Sequence, residues 1–156
     1  MLTLLTVRRT LALAGVVALC AATAVAQPRP NAAPTAGTLT VSPDGASMAV
    51  SAGGSERNPM TGSGCSGYIA SGAPLVAVQH SGGPLSIYVT SGIDTTLLVA
   101  DPAGRWQCSD DANDSNPGIT FDSAAAGTYA VWIGTFSPDA AGASATLHAI
   151  RGQPRW

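Results

Sequence analysis

Cys65 and Cys108 constrain this chain more than any other pair of residues. They are the only cysteines left once residues 1–26 are set aside, and residues 1–26 read as an export signal. Arg8 and Arg9 form a positively charged start. Thr10 to Ala26 is almost wholly small or apolar, and Ala24-Val25-Ala26 is a small-residue cleavage site that makes Gln27 the expected first mature residue. A retained membrane anchor is the alternative, but an apolar run of about 17 residues sits at the short end of a membrane span. Lipidation at Cys20 is disfavoured because Leu19, not a small residue, precedes it. An exported chain matures in an oxidising compartment, where two isolated cysteines are expected to join. Closing a loop of that length is worth about 4 kcal/mol in the chain-entropy model, a large share of a small domain's stability. Two free thiols is the rival reading.

About 130 residues remain after cleavage, enough for one domain around one core. The chain has seven arginines and no lysine. Without Arg8 and Arg9, five arginines stand against nine acidic residues, a net charge of −4. That balance argues against nucleic acid as a partner, because phosphate binding needs clustered positive charge. The same lack argues against an anionic membrane surface after signal cleavage. Few charges and much Gly, Ala, Ser and Thr suit a periplasmic or secreted β-protein.

Residues 27–37, QPRPNAAPTAG, read as a stiff proline-rich linker. The domain is expected over residues 38–150, and residues 151–156 as a flexible tail ending in Trp156. TLTV (38–41), SMAVSA (47–52) and LVAV (75–78) are strand candidates. LSIYVTSG alternates clearly: Leu85, Ile87 and Val89 point one way, Ser86, Tyr88 and Thr90 the other. TTLLVA leads into Asp-Pro-Ala-Gly, a turn signal. RWQC and GITFD are short extended runs, and ASATLHAI closes the domain. AAAGTYAVWIGTF has the strongest β-propensity, with Tyr129, Val131 and Ile133 on one face and Ala130, Trp132 and Gly134 on the other. Which of those faces points inward is open from sequence. No helical period is sustained after the signal. Short strands with turns every 8 to 12 residues or so predict an all-β, antiparallel β-sandwich with one disulfide.

CSDDANDSNPG (108–118) is the one segment dense in metal-ligand types. Calcium takes six to eight oxygen ligands or so, several from carboxylates. Asp110, Asp111, Asp114 and Asn116 are therefore the candidate calcium ligands. An EF-hand register from Asp111 fails, since Asn116 stands where the turn glycine belongs and no exiting helix follows. The alternative is a plain turn, because Asp and Asn side chains bond their own backbone and start turns. HSGGPL (80–85) resembles the nucleophile segment of chymotrypsin-like serine proteases, but Gln79-His80 replaces Gly-Asp. His148 is the only other histidine, with no matching motif around it. A Gly-Gly-Pro turn between two strands explains the string. The two histidines lack zinc-site spacing, and acids crowded on one loop do not face each other across a sugar.

CSGYIAS (65–71) and the run PLSIYVTSG…AVWIGTF (84–136) resemble the bacterial pre-peptidase C-terminal domain family. The marks are Asp94-Thr95-Thr96-Leu97, Asp101-Pro102 with Gly104, Asp110-Asp111, Asn116-Pro117, and Gly127-Thr128-Tyr129 running into Val131-Trp132-Ile133-Gly134. The resemblance covers residues 65–150. It implies a jelly-roll-like sandwich, a non-catalytic accessory role beside secreted hydrolases, and, in some relatives, calcium in acidic loops or polymer binding. The departure is that no peptidase domain is present in this sequence. Trp106, two residues from Cys108, is expected to pack near the disulfide or to stand out as a ligand-binding aromatic. The function expected is a non-catalytic exported module that binds a protein or a polysaccharide at the cell surface. The alternatives are a purely structural envelope module without a ligand and a small hydrolase.

Overall fold

The computed structural model describes residues 27–63 and 65–156. The signal segment expected at residues 1–26 lies outside the described residues. Strand-forming sequence becomes eleven strands: β1 (Gly37–Thr40), β2 (Ala46–Ala52), β3 (Glu56–Arg57), β4 (Tyr68–Ile69), β5 (Val76–His80), β6 (Gly83–Ser91), β7 (Thr95–Ala100), β8 (Trp106–Ser109), β9 (Gly118–Ala124), β10 (Gly127–Thr135) and β11 (Ala143–Ile150). They form two sheets. The first runs β1-β5-β10-β7-β8, with β4 and β3 continuing the β5 side of β10 at its far end. The second is β2-β11-β6-β9. With β1, β3 and β4 set aside, the remaining strands follow jelly-roll order, β5-β10-β7-β8 facing β2-β11-β6-β9, as expected. One pair departs from the antiparallel expectation: β1 runs parallel to β5, Gly37 opposite Val76. Parallel neighbours need a long crossover, and β2 to β4 supply it.

Alternation places Leu85, Ile87 and Val89 of β6 between the sheets, fully buried. They meet Leu97 and Val99 of β7, Tyr129, Val131 and Ile133 of β10, and Leu147 of β11. Each such side chain contributes about 1.5–3 kcal/mol on burial. The parity question at β10 has an unexpected answer, because both faces are inside. Ala130 and Trp132 join Ile69, Leu98 and Ala100 in a second cluster on the outer side of the first sheet. All six residues of β7 are buried. The first sheet therefore needs a cover.

Met60, Ile69 and the bridging Cys108 supply part of that cover. Cys65 and Cys108 are joined, with Cα atoms 6.0 Å apart, an ordinary separation. Residues 27–36 supply more. The expected linker is tied along the loop before β5: Arg29 N–H donates to the Gly72 carbonyl at 2.8 Å, Thr35 to Pro74 at 2.9 Å and Ala36 to Leu75 at 2.8 Å. The expected flexible tail also makes contacts with the sheet, though few. Tyr88 Oη donates to the Arg155 carbonyl at 3.2 Å, and Trp156 meets the Tyr88 ring edge-on at 4.9 Å. Proline removes N–H donors only at its own positions, so the intervening N–H groups of the linker, and a carbonyl and a ring of the tail, still find partners elsewhere in the fold.

The Asp-Pro-Ala-Gly turn forms as expected between β7 and β8. Gly104, at φ 79°, sits in the region that favours glycine. The buried Asp101 carboxylate accepts from the N–H groups of Ala103 and Arg105, both at 2.9 Å, and from the Arg105 guanidinium at 2.7 Å. Burial pushes its pKa up, but these bonds outweigh burial and hold it below 3.8.

Replacing both bridging cysteines with serine is expected to lower unfolding free energy by about 4 kcal/mol in denaturant melts. An unchanged midpoint would contradict the clamp.

Candidate functional site

The acidic run is built as a turn. Asn113 and Asn116 exchange backbone hydrogen bonds at 3.0 Å in each direction. Asp114 takes φ 51°, the left-handed region, which Asp and Asn tolerate better than other side chains. Asn116 Oδ1 accepts from Ser91 N–H at 2.8 Å, tying the turn to the end of β6. Asp110 Oδ2 accepts from Ser66 N–H at 3.0 Å, beside the bridging Cys65. Ser109 Oγ accepts from Gly118 N–H at 3.1 Å and closes the base of the loop.

The expected ligand set Asp110, Asp111, Asp114 and Asn116 does not gather into a cage. Asp110 and Asn116 point their oxygens at separate backbone donors, and Asp114 sits at the turn tip. Among the described residues, no three His, Cys, Asp or Glu side chains come together as a metal-holding group. The reason is that Asp110 and Asn116 each satisfy a backbone N–H of a different neighbouring segment, Ser66 for one and Ser91 for the other.

Asp94 is the acid that sequence reasoning missed as a site residue. It was legible only as a mark of family resemblance, because it lies on the β6–β7 turn, far along the chain from the acidic run. Its Oδ1 is buried and has no hydrogen-bond partner. Burial, then the charges of Asp111 and Asp110, raise its pKa above 3.8. The fold thus brings Asp94 into the field of two of the four expected ligands.

Trp106 lies on β8 at the outer side of the first sheet. It is half-buried and packs on the Trp132 ring, centroids 5.3 Å apart and planes tilted by 38°. Trp132 is 1% exposed, and its indole N–H has no acceptor. The disulfide stands next to this pair. Asn58 Nδ2 donates to Cys108 Sγ at 2.9 Å and Asn58 Oδ1 accepts from Met60 N–H at 3.0 Å, which positions the covering loop. Trp106 then forms one wall of a groove of about 380 Å³ with Gln27, Pro28, Pro59 and Met60. Trp106 thus packs beside the bridge and keeps a face on a groove.

Ser81 and the histidines are apart in their bonding. Ser81 Oγ accepts from the Arg151 guanidinium. His80 is buried, with Nε2 3.2 Å from the Gly83 carbonyl. His148 Nε2 lies 3.0 Å from Thr90 Oγ1, and its ring stacks on Tyr88 at 4.7 Å. Burial lowers the His148 pKa below 6.5.

Together these features define a disulfide-clamped jelly-roll β-sandwich with an aromatic groove on one face and an acidic turn at one end. No protein-family model matches the chain, and no curated protein is significantly similar to it. A disulfide of this kind belongs to a chain that matures under oxidising conditions. Among the described residues no helix is long and apolar enough to cross a membrane.

The Asp94 shift has a defined sign. The folded state holds this proton more tightly than the unfolded chain, so the contribution is present below the unfolded pKa near 3.8 and is lost as pH rises through the folded value. Asp94→Asn should therefore raise the urea midpoint at pH 7 and leave it nearly unchanged at about pH 3, below the ordinary Asp pKa. A lower midpoint at pH 7 would show that the Asp94 charge is stabilising.

Proposed function

We propose that the protein is a non-catalytic, exported β-sandwich module, working in the periplasm or outside the cell, that binds a protein segment or a surface polysaccharide at the Trp106 groove. The groove carries this reading. An indole backed by a second, buried indole is already ordered, so binding against it costs little side-chain entropy. Its neighbours Pro28, Pro59 and Met60 add stiff or adaptable apolar surface. A volume of about 380 Å³ suits a short stretch of polymer. The resemblance to the pre-peptidase C-terminal family supports the same accessory role. A purely structural module has no use for an accessible aromatic groove, and a hydrolase needs a nucleophile–base or paired-acid arrangement beside it.

Calcium is a second reading, favoured by Asp94. A divalent cation there would supply the missing partner of its Oδ1 and offset the repulsion from Asp110 and Asp111. Asp94 would hold it, with backbone carbonyls and water completing the shell, since no three carboxylates gather there among the described residues.

Calorimetry of the mature, oxidised protein against peptide and glycan panels tests the main reading. One class should give saturable heat, and Trp106→Ala should weaken it roughly tenfold or more, as at an aromatic hot spot. Binding unaffected by that change, or heat from no panel member, would remove the groove from the account. For calcium, melts with the ion should lie above melts with chelator through binding linkage, and superimposed melts would end the second reading.

A further inference from the structure

We infer that the outer face of the second sheet is a groove for a short extended peptide carrying an aromatic side chain, and that Gly152–Trp156 of this chain fills it in cis. This site is on the opposite sheet from Trp106 and goes beyond the reading above. Ser86 and Tyr88 are alternate residues of β6, and both hydroxyls point to this face. Ser86 Oγ donates to the Gly152 carbonyl, and Tyr88 Oη donates to the Arg155 carbonyl at 3.2 Å. Two side chains two residues apart thus read two main-chain carbonyls of the segment.

The ring that follows has its own seat. Trp156 lies edge-on to Tyr88, planes at 66°, and rests on the bare backbone of Gly118. A Cβ at Gly118 would stand 2.9 Å from the indole Cη2 and 3.1 Å from Cζ2. Gly118 has no positive φ, so its backbone does not demand glycine. The missing side chain leaves room for the ring and for the Tyr88 Cβ, which would stand 3.2 Å from the same position. Behind the seat, His148 stacks on Tyr88 and Thr90 fixes His148, so the floor is rigid.

The occupant is held loosely. No backbone–backbone hydrogen bond joins residues 152–156 to the sheet among the described residues. Trp156 remains 47% exposed. At the start of the segment Arg151 is an anchor, its guanidinium donating to the Gly82 carbonyl at 3.0 Å and to Ser81 Oγ. Gly152 follows at φ 87° and supplies the bend. No backbone hydrogen bond of the sheet has to open for the residues beyond it to leave. The chemistry favours a peptide over a sugar. Two of the recognised atoms are peptide carbonyls, and His148 covers a face of Tyr88 on which a sugar ring would stack.

The test uses an isotope-labelled variant ending at Arg151, titrated with the free peptide GQPRW and with GQPRA. The tryptophan peptide should give saturable amide shifts at Ser86, Tyr88, Gly118 and His148. GQPRA should bind roughly tenfold more weakly, for loss of a seated ring. The full chain should respond little, because its tethered segment competes at an effective concentration of about millimolar. Gly118→Ala in the shortened variant should abolish the shifts. A folded variant that shows none with several millimolar peptide, on the order of that effective concentration, overturns the inference. So do equal shifts from both peptides, or shifts at these amides from oligosaccharides alone. Should the shortened variant not fold, full-length Trp156→Ala is titrated with N-acetyl-tryptophanamide. Shifts at Gly118 and Tyr88 then support the seat, and their absence overturns it.

Discussion

The bridge between Cys65 and Cys108 holds a cover over a sheet that cannot face water on either side. Trp132 and Leu98 point away from the main core, yet both are buried. Left open, that side would present a contiguous apolar patch of the kind soluble domains avoid. The loop from Asn58 to Tyr68 closes it, and a loop with two very short strands has little cooperative hold of its own. The covalent link converts that loop into part of the domain by restricting the unfolded chain. Cys65 is 3% exposed and Asn58 1%, so the clamp is itself inside the structure it closes. Asn58, through its bonds to both sulfurs and to Met60, sets where the cover lies.

The same double burial explains what could and could not be read from sequence. Leu85, Ile87 and Val89 were legible because their strand alternates apolar and polar residues, and all three are in the core. Thr95–Ala100 carries no such alternation. Its six residues are buried on both faces, and the pattern of a half-buried strand does not apply. Tyr129 and Trp132 have opposite parity, which in a half-buried strand would set one against the other for the core, but each belongs to a different one. Residues 27–36 and 151–156 looked like linker and tail because proline, glycine and polar residues dominate them. Their partners, Gly72, Pro74 and Leu75 for one and Ser86 and Tyr88 for the other, are remote in sequence, so composition could not show them.

The acidic turn illustrates the same limit at the level of a site. Its residue types were legible and so was its turn character. The destination of each oxygen was not, because Ser66 and Ser91 reach the turn only through the folded sandwich. Asp94 arrives the same way. What results is a domain whose two broad faces are each finished by a segment from outside the sheets: a clamped loop with an aromatic groove on one, a lightly held strap on the other. Both candidate binding surfaces lie where the main chain of the sandwich ends and its cover begins, which leaves the inner core free of functional compromise.

Residue-resolved hydrogen exchange before and after reduction of the disulfide tests the dependence on the clamp most directly. Residues 56–69 and the β7–β8 pair should lose protection on reduction, while β11 and β6 of the second sheet keep theirs. Protection that is unchanged throughout, or that falls equally in both sheets, would contradict a bridge whose task is to hold the cover on the first sheet.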